Sequence, residues 1–168
     1  MKKTVVRYGL FGALAICALF LLSLSIGDGL SYSTQEIIGY ASMVVSLMFV
    51  FFGIKHFRDR ENGGKVNFGK ALLIGVLISL ITAFAFGLLD FVYVKYLNPD
   101  FMTTYYDHSV EQLKASLPAE EFEVKLAELE AEKELFMNPL MSFAIMSMTV
   151  FVIGFIISLI SSLILQRK

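Results

Sequence analysis

Ala71-Leu-Leu-Ile-Gly75-Val-Leu-Ile-Ser79-Leu-Ile-Thr-Ala83-Phe-Ala-Phe-Gly87-Leu-Leu-Asp90-Phe-Val-Tyr-Val94 decides the architecture of the chain. As a helix rising about 1.5 Å per residue it reaches about 36 Å, enough to cross a hydrocarbon core about 30 Å thick with some tilt. Small residues fall at every fourth position: Ala71, Gly75, Ser79, Ala83 and Gly87. That spacing lets helix backbones approach closely where lipid supplies no hydrophobic drive for association. Small residues are also common in membrane helices for no special reason. Each step of four drifts by about 40°, so the row sweeps about 160° round the helix and needs more than one neighbour. We read it as a packing seam inside a bundle.

Three more runs are long enough to span: Tyr8 to Ile26, Ile37 to Ile54 and Leu140 to Leu165. With residues 71–94 they hold one charged residue, Asp90. A soluble bundle of this length would carry charges every few residues on its wet face, and these segments have no such face. The 168 residues, 57% hydrophobic, suffice for one domain. The expected class is an all-α integral membrane protein with four transmembrane helices.

Charge orients the spans. Ten of the fourteen basic residues lie before the first run, between the second and third, or after the fourth. The positive-inside rule puts those three segments, and both termini, in the cytoplasm. Gly27 to Glu36 has no Lys or Arg, and residues 95–139 hold four against ten acids, so these connections face outward. The expected location is a membrane with the cytoplasm on its inner face. The bilayer is the partner implied, together with a second copy or another membrane protein. The basic patches follow topology, and no base-reading module for nucleic acid is present.

Cys17 is the single cysteine and lies within the first run, which makes it a small packing residue with no partner for an internal disulfide. Ile16 before it argues against lipoprotein processing. Lys2-Lys3, the apolar stretch and Ser23-Leu24-Ser25 mimic a cleavable signal peptide, but the stretch exceeds a signal core. A retained first helix is expected.

Gly27-Asp28-Gly29 should break the first helix, and Ser31 to Thr34 should form a short polar turn. In the second span Gly39, Ser46 and Gly53 repeat every seven residues, beside the bulky Phe49, Phe51 and Phe52. In the inner connector, Asn62-Gly63-Gly64 supplies the positive backbone angles that end a helix, and Asn67 is placed to cap the next one.

Residues 95–139 are the part with soluble character. Pro99, Pro118 and Pro139 each suit a first helical turn, with Asn98 and Asn138 before two of them as caps. Two helices follow, about Pro99 to Leu117 and Pro118 to Met137. Met102, Tyr106, Val110, Leu113 and Leu117 form one apolar face; Phe122, Leu126, Leu129 and Phe136 form the other. We expect an amphipathic outer hairpin between spans three and four, its glutamates in water. The other reading of those glutamates is a docking surface for a basic partner or divalent cation.

Tyr8-Gly9, Ile54 with Arg58-Asp59, Gly63-Gly64, Phe68-Gly69 with Ala71 and Gly75, and Asn98-Pro99-Asp100-Phe101, in this order and spacing, resemble the bacterial membrane family known as domain of unknown function 4199. The resemblance covers nearly the whole chain and is weakest over residues 116–137. It implies a small four-helix membrane protein and brings no activity, cofactor or catalytic residue with it.

Intramembrane acids usually face protein interior or water. Asp90 falls within about 20° of Ser79 and Ala83 on a helical wheel, so it should point inward. Counted from the outer ends, Ser23, Tyr40, Asp90 and Ser142 lie three or four residues deep and form a candidate polar layer, with the Tyr40 hydroxyl first choice as donor to the carboxylate. A proton- or cation-binding Asp90 in a small transporter is the competing reading, although a pathway normally needs more polar groups near the midplane. His108 and Glu111 form one i, i+3 pair, too few ligands for a metal site. No nucleophile turn or phosphate-cradling loop is present, so neither an enzyme nor a cofactor is expected. An accessory or scaffold subunit is the first functional reading, and an ion or solute transporter subunit the second.

Overall fold

Helix α1 runs Lys2–Ile26, α2 Tyr32–His56, α3 Phe68–Val92, α4 Phe101–Ser116, α5 Ala119–Met137 and α6 Pro139–Leu165. The computed structural model describes residues 1–26 and 30–167, without the side chains at 32, 119 and 120. The helix break expected at Gly27-Asp28-Gly29, and Lys168 of the basic end, lie outside the described residues. Four helices, namely α1, α2, α3 and α6, are long and apolar enough to cross a membrane. The protein is therefore an all-helical, multi-pass membrane type.

Local sequence explains the ends. Ser31 caps α2 by accepting from the Thr34 amide, so α2 begins at Tyr32, inside the stretch expected as a polar turn. It continues into a π-helical turn, Phe57–Glu61, and stops where Gly63 and Gly64 take φ of 61° and 80°. Asn67 Oδ1 accepts the Lys70 amide at 2.8 Å and caps α3. At the other end α3 passes into a second π-helical turn, Tyr93–Leu97. Asn98 does not cap the following helix as expected. Its amide donates to Tyr93 Oη at 3.1 Å, and Asp100 occupies the cap position of α4 without a side-chain hydrogen bond. Asn98 closes the preceding π-helical turn instead, its backbone N–H donating to the Tyr93 carbonyl at 2.8 Å, and α4 starts at Phe101 rather than at the expected Pro99.

The chain divides into two units, Met1–Phe86 with Met146–Lys168, and Gly87–Ile145. In the first, Ile16, Leu47, Val50, Ile54, Ile74, Ile78 and Val150 are almost wholly buried. Around this core, Leu14, Ile37, Leu163 and Ile164 are each more than half exposed. So much exposed apolar surface suits lipid rather than water. An isolated antiparallel bridge joins Val66 to Arg167, with amide–carbonyl distances of 3.0 and 2.8 Å, and ties the connector after α2 to the chain following α6.

In the second unit α4 and α5 form a hairpin. Tyr106, Val110, Leu113 and Leu117 are half-buried, as are Phe122, Leu126, Leu129 and Phe136. Tyr106 Oη donates to Glu130 Oε1 at 3.2 Å, and Lys133 Nζ stands 4.1 Å over the Tyr106 ring. Glu121, Glu123, Glu128, Glu130, Glu132 and Glu134 are exposed.

Candidate functional site

Asp90 lies in the last turn of α3 and Ser142 in the first turn of α6. Asn138 sets the start of α6: its Oδ1 accepts the Leu140 amide at 3.0 Å and its carbonyl accepts the Ser142 amide at 2.9 Å. That places Ser142 Oγ to donate to Asp90 Oδ2 at 2.5 Å, with Asp90 6% and Ser142 1% exposed. Among the described residues Asp90 forms no ion pair. A hydroxyl donor is what a buried carboxyl group needs when no cation is at hand.

The other two residues of the expected layer belong to the first unit. Ser23 Oγ donates to the Phe20 carbonyl at 2.7 Å within its own helix, and Tyr40 is 49% exposed. Of the expected layer, Ser142 and Asp90 share a hydrogen bond: the Ser142 hydroxyl, two bonds from its Cα, reaches the carboxylate because the start of α6 places it there.

The small-residue row of α3 is buried throughout, from Ala71 to Gly87. Gly75 meets α6 and α2: a β-carbon there would stand 2.7 Å from Ser158 Oγ and 3.1 Å from the Val50 side chain. One turn on, Ser79 faces Gly154 of α6, whose own β-carbon would stand 2.6 Å from Ser79 Oγ. Helix α1 approaches by its glycines, Gly9 against Ile81 and Gly12 against Thr82. The hydroxyls in this seam turn back on backbone carbonyls: Ser79 to Gly75, Thr82 to Ile78, Ser158 to Gly154 and Ser162 to Ser158. The Ser79 and Ser158 hydroxyls stand 3.3 Å apart across the two helices.

A polar knot at the basic end escaped the sequence reading. Glu61 holds the Met1 amine at 2.7 Å and accepts the Thr4 hydroxyl, with His56 Nε2 at 3.9 Å. Arg58, only 6% exposed, donates through Nε and Nη2 to the two Asp59 oxygens at 2.6 and 3.1 Å, and through Nη1 to the Leu165 carbonyl at 3.3 Å. These groups appeared in the sequence as topology charges. The alternation of acid and base over residues 58–61 was the available signal of internal pairing.

Among the described residues, no group of three or more His, Cys, Asp or Glu side chains is placed to hold a metal ion. The family model described as "Protein of unknown function (DUF4199)" matches residues 7–167. No curated protein and no solved structure matches the chain.

Proposed function

We propose, for a chain that belongs to the DUF4199 family of proteins of unknown function, a non-enzymatic structural role. It is an accessory or scaffold subunit of the bacterial inner membrane, with both termini in the cytoplasm and the acidic hairpin on the outer side. The observation that carries this reading is the engagement of the hydroxyls where α3 meets α1 and α6, while Ser46 and Ser147 Oγ are buried without a hydrogen-bond partner among the described residues. Ser79, Thr82, Ser158 and Ser162 each satisfy a carbonyl of their own helix, and glycines bring the helices together over them. Such groups hold helices in register. A translocation path would instead present them to a solute. The orientation rests on the basic residues gathered before α1, between α2 and α3, and after α6.

The test is purification of the full chain from native membranes in mild detergent, with partners identified by mass spectrometry. A scaffold brings a second membrane protein in fixed stoichiometry. Recovery as a lone chain or a homo-oligomer contradicts the reading.

One observation favours a second role. Asp90 is a buried acid with a serine donor and, among the described residues, no ion pair. In a small transporter it would bind the coupling proton or cation. Asp90→Asn that folds normally and abolishes ion-dependent flux in proteoliposomes supports transport; unchanged flux removes it.

A further inference from the structure

The basic end of the first unit has its acids already engaged. Both Asp59 oxygens take Arg58 donors, and Glu61 is occupied by the Met1 amine and Thr4. Lys3, Arg7, Lys55, Arg60, Lys65 and Lys70 are exposed, and none forms an ion pair among the described residues. The elements bearing them are tied together: α1 to the π-helical turn through Glu61, and the connector to the end of α6 through Arg58, Leu165 and the Val66–Arg167 bridge. The cations therefore project from an ordered backbone rather than from a free loop.

Exposed apolar side chains adjoin them: Val6 and Leu10 beside Arg7 on α1, Phe52 beside Lys55 on α2, and Leu163 and Ile164 at the end of α6, just before the exposed Arg167. A surface with exposed cations and, within one or two turns, exposed apolar side chains matches an amphiphile with an anionic head and acyl tails. A soluble acidic protein would have no use for the apolar part.

We propose that this end of the bundle is a collar that binds the headgroups of anionic phospholipids, their acyl chains lying on the adjoining apolar surface. The attraction is electrostatic, acts over about a Debye length and adds up over the cations near the headgroup plane. The proposal needs the chain to be in a membrane but not the scaffold role, so a missing partner protein would leave it standing.

Spin-labelled lipids test it with the full chain reconstituted in phosphatidylcholine. Labelled phosphatidylglycerol should be immobilised by the protein at least about twofold more than labelled phosphatidylcholine at low salt. The preference should vanish near 1 M salt, where the Debye length falls to about 3 Å. Arg60→Gln with Lys65→Gln should reduce it by about half, whereas Lys114→Gln with Lys125→Gln, the same charge change in the hairpin, should leave it intact. Equal immobilisation of the two lipids at low salt overturns the proposal. So does a preference untouched by the Arg60 and Lys65 changes, or lost equally in the hairpin variant. The wild-type salt titration decides the matter alone should the variants misfold.

Discussion

Gly75 of α3 lies against Ser158 of α6 so closely that a β-carbon added to the glycine would stand 2.7 Å from the serine Oγ and 2.8 Å from its Cβ. The space is missing because Ser158 Oγ is held to the Gly154 carbonyl at 2.6 Å and has little freedom to swing away. Overpacking of this kind costs about 1–3 kcal/mol. Gly75→Leu should therefore lower stability by at least that much in a detergent unfolding titration. Gly39 provides the contrast, since nothing lies within 4 Å of the β-carbon it would gain. Gly39→Ala should be neutral or stabilise by up to about 1 kcal/mol through helix propensity.

Removal of the Ser142 hydroxyl leaves the buried Asp90 without the donor that the structure assigns to it. Ser142→Ala should cost about 1–2 kcal/mol. In a double-mutant cycle with Asp90→Asn the coupling should be about 0.6 kcal/mol or more, the size typical of hydrogen bonds between membrane helices. Additive effects of the two changes would show that the hydrogen bond contributes nothing.

Much of this was legible in the chain itself, for reasons that differ from residue to residue. The runs around Gly75 and Ser158 announce spans because Asp90 is the single charge in them, and length then sets the element. Asn67 and Asn138 could be read as caps because a cap is decided within one helical turn. Asn98 has the same local pattern and fails, since it ends the preceding π-helical turn and α4 starts only at Phe101. The pairing of Asp90 with Ser142 spans 52 positions: depth from the span ends put both in one layer, but which hydroxyl faces the carboxylate is encoded by no local pattern. The same holds for Arg58 and Leu165, 107 positions apart.

Arg58 joins the π-helical turn to the last carbonyl of α6, and the Val66–Arg167 bridge lies next to that contact. Arg58→Ala should loosen both. Amide exchange at Val66 and Arg167 should speed up by about tenfold, the equivalent of roughly 1.4 kcal/mol, while amides in the middle of α3 keep their protection. Unchanged exchange at these two amides would mean that the bridge stands without the arginine.

In the hairpin, partial burial and then the hydrogen bond to Glu130 push the Tyr106 hydroxyl above the ordinary tyrosine range, with the nearby Glu130 and Asp107 charges adding to it. A raised pKa in the folded state means that this contribution is fully present below the unfolded pKa, about 10, and is lost as pH rises through the higher folded value. The hairpin should thus show no change traceable to Tyr106 at neutral pH. In an ultraviolet titration, the difference between wild type and Tyr106→Phe should appear above the ordinary tyrosine value of about 10. A Tyr106 that ionises at or below that value would contradict the pairing.

The most direct test of the account is cysteine labelling from outside intact cells, in a Cys17→Ser background, with a membrane-impermeant maleimide. Four spans with the basic end inside require Glu128→Cys in the hairpin to label at once and Lys65→Cys in the connector to label only after the membrane is opened. Labelling of both positions in intact cells, or the reverse pattern, would contradict it.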